Sequence, residues 1–156
     1  MCSVGDRSHT RAPRMDLRST AAMVVMEQGY PARAETVPLA RHAAARCART
    51  LGADESVAQA VALAVTEACA NAVLHAYRER EEPGEMTVSV EKQDDFLCVN
   101  VVDDGVGMVP RLDSPGLGMG LPLISKLTAA VELSSRPEGG CHVRMRFDLA
   151  PQAAAA

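Results

Sequence analysis

The stretch Asp54–Tyr77 reads DESVAQAVALAVTEACANAVLHAY, and it decides how the rest of the chain must be arranged. Asp54 is a good N-cap, because its side chain can accept from the first free N–H groups of a helix, so one helix is expected from there to about Tyr77. Between Val57 and Val73 apolar residues fall on nearly every side, which requires burial over most of the circumference rather than a place on the surface. Gln59, Glu67 and Asn71 interrupt the same stretch and make it too polar for the centre of a bilayer. This is the central helix of the fold.

Working outward, Val37, Leu39, Ala40, Ala43, Ala44, Cys47, Ala48 and Leu51 form a helical stripe from Thr36 or Pro38 to Leu51, and Gly52 stops it. Earlier, within Ala22–Tyr30, the run Met23-Val24-Val25-Met26 predicts an edge strand. Downstream, Arg78–Gly84 is a charged loop ending in Pro-Gly. Met86, Val88 and Val90 alternate with Thr87, Ser89 and Glu91, the period of a half-buried strand. Phe96–Asp103 reads as apolar on both faces and is placed centrally, with Asp94-Asp95 closing an antiparallel hairpin. Gly105–Gly120 is turn-rich, and Leu121–Ala130 is helical. Val131–Arg136 and Cys141–Leu149 are strands around the turn Pro137-Glu138-Gly139-Gly140. In the last strand Cys141, Val143, Met145, Phe147 and Leu149 point inward, and His142, Arg144, Arg146 and Asp148 outward.

Helices first, strands later and hairpin connections specify an α+β two-layer sandwich, three helices on one face of a mainly antiparallel sheet of four or five strands. Residues 1–21 read as a flexible leader, 22–150 as a single folded domain and 151–156 as a frayed tail. A net charge of -4 and a pI near 5.5 provide no basic face for nucleic acid. The Arg-rich start lacks the apolar core of a secretory signal. Five cysteines without a CxxC pair suit buried apolar positions in a reducing cytoplasm, and no Cys and His are grouped at zinc-like spacing.

Three segments carry chemistry. Spacing of four puts Glu67, Asn71 and His75 in one row on the central helix. A carboxylate and an amide cannot stay dry and unpaired there. Bonds to loop backbone, or a solvated stripe, satisfy them as well as a ligand does. The second segment, Asp103-Asp104-Gly105-Val106-Gly107, sets a carboxylate at a strand end before two alternating glycines. The Asp can accept from an exocyclic amine, and the glycines let a flat ligand approach the backbone, although an ordinary Asp-Gly turn has the same letters. The third, Gly116-Leu117-Gly118-Met119-Gly120-Leu121-Pro122, leads into a helix, where free N–H groups and the dipole favour phosphate. It does not follow a strand in a βαβ unit, and no GxxxxGK[ST] loop is present.

In this order and spacing the segments resemble the N, G1 and G2 boxes of the GHKL superfamily of gyrase, heat-shock chaperone ATPases, histidine kinases and mismatch-repair ATPases, with its Bergerat-type ATP-binding fold. Glu67-Ala68-Cys69-Ala70-Asn71-Ala72-Val73, then His75-Ala76-Tyr77, is similar to the anti-sigma-factor serine kinases, as are Gly118-Met119-Gly120-Leu121 and the Gly-rich last hairpin. The resemblance implies ATP and Mg²⁺ as cofactors, with Asn71 as the Mg²⁺ ligand and Glu67 as general base. It implies Asp103, Gly105 and Gly107 at the adenine, and Gly116, Leu117, Gly118, Met119, Gly120 and Leu121 at the phosphates. Arg111, the cation between the glycine boxes, reaches the γ-phosphate in this reading and is otherwise a solvated loop arginine. The implied function is a cytoplasmic protein serine kinase and anti-sigma factor, with a sigma factor and a STAS-type anti-anti-sigma protein as partners, a homodimer, and neither nucleic acid nor membrane. A nucleotide-binding module with little catalysis and a stand-alone ATPase are the alternatives.

Overall fold

The protein is described by a computed structural model covering residues 23–76, 81–106 and 120–149. The expected leader and tail lie outside these residues. The elements run β1 (Met23–Pro31), α1 (Val37–Thr50), α2 (Glu55–Asn71), β2 (Glu85–Gln93), β3 (Phe96–Asp103), α3 (Gly120–Leu127), β4 (Ala130–Ser135) and β5 (Cys141–Asp148). The five strands form one sheet in the order β1-β2-β3-β5-β4, every neighbouring pair antiparallel. The expected α+β two-layer fold is what is observed.

The local signals act where the sequence places them. Asp54 Oδ1 accepts from the Val57 N–H at 2.8 Å and caps α2. Gly52 takes φ 99° just after α1, where a side chain would be strained. Lys92 of β2 donates from Nζ to the Leu51 carbonyl at 2.9 Å, placing a cation at the negative end of the α1 dipole. A turn of 3-10 helix, Ala34–Thr36, precedes α1, and the Thr36 hydroxyl lies 2.6 Å from the Pro31 carbonyl and 2.9 Å from that of Arg33.

Ala40, Ala44 and Ala48 of α1 are fully buried, as are Ala58, Val61, Ala64 and Val65 of α2. Small side chains at this contact let the two helices approach closely. The helix-facing side of the sheet is buried through Met86, Val88, Val90, Leu97, Val99, Val101, Val143, Met145 and Phe147, and α3 adds Ile124. Glu55–Leu74 has a mean hydropathy of 1.6, long and apolar enough by composition to cross a membrane; here it is the core helix, packed on α1, α3 and the sheet.

Two local expectations change. The α-helix ends at Asn71, earlier than the expected end near Tyr77, and Ala72–Ala76 continue it as a π turn with i→i+5 bonding. The side chain of His75 lies outside the described residues. The second change concerns β3, which is central as expected but whose second face is not apolar. On the sheet side away from the helices, Asn100, 5% exposed, donates from Nδ2 to Ser89 Oγ (3.2 Å) and Glu91 Oε1 (3.0 Å). Its Oδ1 lies 2.9 Å from His142 Nε2. Arg144 pairs with Glu91 at 3.6 Å and covers the buried Cys98, donating to its Sγ at 3.7 Å, while Arg146 stacks over the Phe96 ring at 4.1 Å. A satisfied polar network, not apolar packing, buries the middle of that face. For the same reason His142, Arg144 and Arg146 are half-buried instead of exposed.

At the sheet edge, β1 carries a bulge between Val24 and Met26 and exposes Met23, Val24 and Val25.

Candidate functional site

Glu67 and Asn71 lie one α-helical turn apart near the C-terminal end of α2, both half-buried, and the π turn begins directly after Asn71. Among the described residues neither side chain has an assigned hydrogen-bond partner. That end of α2 lies over one end of the sheet. Val73 packs on Ala32, and the Cys69 thiol is close enough to Tyr30 to raise its pKa, second to burial. Tyr30 pairs with Met86, and Met86 with Asp103. One cross-strand row therefore connects the neighbourhood of the Glu67–Asn71 helix end to Asp103.

Asp103 ends β3 and is buried, 8% exposed as a residue. Its Oδ1 accepts from the Gly105 N–H at 3.0 Å and from the Cys141 N–H at 3.3 Å. The first bond is an Asx turn, the local structure an Asp-x-Gly sequence favours. The second crosses to β5. Burial pushes the Asp103 carboxyl above its ordinary pKa; the two backbone bonds oppose this, Asp104 adds to it, and Arg136 opposes it. Among the described residues Oδ2 has no partner, so this oriented carboxylate retains an acceptor. The adjoining turn is tied to β2, Glu85 N donating to Asp104 Oδ1 at 3.1 Å and Asp104 N to Glu85 O at 3.3 Å.

The β4–β5 turn completes this side. Arg136 N donates to Gly140 O at 3.1 Å and Gly139 N to Arg136 O at 3.0 Å, and Arg136 pairs with Glu138. Gly139 and Gly140 have φ of 100° and 93°. In the sequence this segment is a Gly-rich hairpin turn that shares in the family resemblance, with no contact to Asp103 expected. Two consecutive glycines were the available signal that something approaches closely there.

The structure brings Asp103, Gly105 and the Glu67–Asn71 end of α2 to the same end of the fold. Gly120 opens α3 as expected. α3 spans eight residues, about 12 Å, and just beyond it Ala129 N donates to Arg146 O at 2.8 Å. Gly107, Arg111, Gly116, Leu117, Gly118 and Met119 lie outside the described residues, as does the side chain of Leu121. Nothing in the geometry bears on their assigned roles.

Residues 30–147 match the histidine kinase-like ATPase domain. The chain belongs to that family. Among its relatives, the histidine kinase-like domain is 30% identical to an anti-sigma F factor of Pasteuria penetrans, over 77% of this chain and 87% of that protein. It is also 30% identical to the serine-protein kinase RsbW of Bacillus mycoides, over 69% and 76%. A putative sensor histidine kinase NtrY-like protein of Rickettsia felis is 29% identical over 46% of the chain, which spans only 14% of that protein. The fold superposes on the crystal structure of the RsbU and RsbW domains of a Mycobacterium tuberculosis protein with a TM-score of 0.61 at 20% identity, covering 80% of this chain and 32% of that one. It also superposes on the SiaB–SiaC complex of Pseudomonas aeruginosa, with a TM-score of 0.51 at 18% identity, covering 80% and 89%. The chain thus stands with the anti-sigma-factor serine kinases of the GHKL superfamily.

Proposed function

We propose that this protein is an ATP- and Mg²⁺-dependent serine kinase that also binds a sigma factor, phosphorylates a STAS-type anti-anti-sigma protein, and works in the cytoplasm as a homodimer. The observation that carries the nucleotide reading is Asp103: a buried carboxylate, fixed on two backbone N–H groups, with one oxygen left to accept from an adenine amine. The relatives named as an anti-sigma factor and a serine-protein kinase support the rest.

ATP, when bound, supplies the γ-phosphoryl group. In this reading Asp103 and Gly105, with Gly107, hold the base, and the glycines from Gly116 to Gly120, with Leu117, Met119 and Leu121, hold the phosphates. Asn71 offers a neutral oxygen to Mg²⁺. Among the described residues no three His, Cys, Asp or Glu side chains could hold a metal by themselves, so the ion would depend on phosphate oxygens and water, as a hard cation allows. Glu67 takes the proton from the attacking serine hydroxyl as the new P–O bond forms and the bond to ADP breaks. Arg111 offsets charge on the transferred group.

Incubation with γ-labelled ATP and the cognate anti-anti-sigma protein should label a serine. Glu67→Gln should retain ATP binding and lose about 10²–10⁴-fold in transfer, the usual worth of a general base. ATP binding without labelling of the wild type would favour a binding module, and phosphate release without a protein acceptor would favour an ATPase.

A further inference from the structure

The β4–β5 turn meets Asp103 in two ways. The Cys141 N–H is one of the two donors on Oδ1. Gly140 is pressed so closely on the Asp103 backbone that a Cβ there would stand 1.9 Å from the Asp103 carbonyl oxygen and 2.8 Å from its carbon. Gly139 has nearly the same positive φ, but its Cβ would meet only Gly105 O, at 3.4 Å. The two glycines are therefore matched in backbone strain and differ in what they touch.

We propose that Gly140 and the Cys141 N–H are positioning elements that set base selectivity, by holding Asp103 Oδ1 on the backbone so that Oδ2 alone faces the base. This rests on the nucleotide reading above. With aspartate the two oxygens are chemically alike, and the clamp sets only the direction and distance of the free acceptor. In Asp103→Asn the effect becomes chemical. The amide oxygen must stay on the two N–H donors, since an NH₂ group there would face donors with a donor. The NH₂ then stands where Oδ2 stood, opposite the purine 6-position. A donor there rejects adenine and accepts the 6-oxo group of hypoxanthine.

Binding of ATP and of inosine triphosphate to the full chain tests this, with folding of each variant followed by circular dichroism. The wild type should prefer ATP by about ten- to a hundredfold, the worth of one hydrogen bond to a charged group. Gly139→Ala should keep that preference, Gly140→Ala should lose most of it, and Asp103→Asn should reverse it. Equal ratios in the two glycine variants would overturn the proposal by making ordinary turn strain the cause. An Asp103→Asn ratio that collapses without reversing would also overturn it, because the side chain would then be free to turn. Should Gly140→Ala fail to fold, the Asp103→Asn result decides, since that change preserves shape and both backbone bonds. Failure of the wild type to bind ATP at all would remove the nucleotide reading itself, and the proposal with it.

Discussion

Replacing Asn100 by alanine removes the hub of the polar network on the open face, and the consequence can be worked through bond by bond. Asn100 makes three contacts, to Ser89 Oγ, Glu91 Oε1 and His142 Nε2. Ser89 is 8% exposed, so its hydroxyl loses a partner that water cannot fully replace, a penalty of about 1–3 kcal/mol. The Glu91 carboxylate loses a bond worth about 1.5–3 kcal/mol when made to a charged group. At 19% side-chain exposure, with Arg144 at 3.6 Å, it recovers part of that from solvent and from the arginine. His142 is half-buried and recovers most of its contact from water. The sum is about 2–4 kcal/mol, or a fall in Tm of about 6–12 °C at this size. Urea unfolding followed by circular dichroism measures it, and a double-mutant cycle with His142→Ala isolates the 2.9 Å contact, expected at about 0.5–3 kcal/mol. ATP affinity should be unchanged, because Asn100 and Asp103 project from opposite faces of β3. A loss below about 1 kcal/mol, or no coupling to His142, would refute the view that this network buries the face.

Three further outcomes are expected. Burial, with Arg144 beside it, lowers the His142 pKa below its ordinary 6.5; the unfolded chain then binds the proton more readily, so stability present above pH 6.5 should decline as pH falls through the folded value, and His142→Gln should flatten that slope in denaturant titrations. Glu55 is held at about 2 by its hydrogen bonds to Arg49 and then Gln59, which carbon-detected NMR titration should show; its stabilisation, present above pH 4.5, is lost as pH falls toward 2, and Arg49→Ala should return the midpoint toward 4.5. Asp103 has a raised pKa, chiefly from burial, so its ionisation opposes folding as pH rises through and beyond the carboxylate range; Asp103→Asn should therefore raise the Tm of the nucleotide-free protein at neutral pH, and a fall would contradict the sign.

What the sequence alone determined was local or periodic. Asp54 caps α2 because its carboxylate reaches an N–H three residues on, and β5 alternates because successive side chains leave a strand on opposite faces. Order and spacing of Glu67-Asn71, Asp103-Gly105 and the glycine run were likewise legible, and they were enough for the family. Other features belong to the tertiary structure. That β5, not β4, lies beside β3 is settled by which apolar faces meet α2, and only this pairing brings the Cys141 N–H to Asp103 across 38 residues. The open-face network joins Ser89, Glu91, Asn100, His142 and Arg144 from three strands, so β3 alone could be read as apolar on both faces. The π turn after Asn71 has no local signature, because one residue more or less per turn is decided by what the helix end packs against. Gly139-Gly140 was legible as a Gly-rich hairpin, but its close approach to the Asp103 backbone exists only in the tertiary structure. Hydrogen bonds within a few residues are encoded where they form, whereas contacts between distant segments exist only once the core has chosen their register.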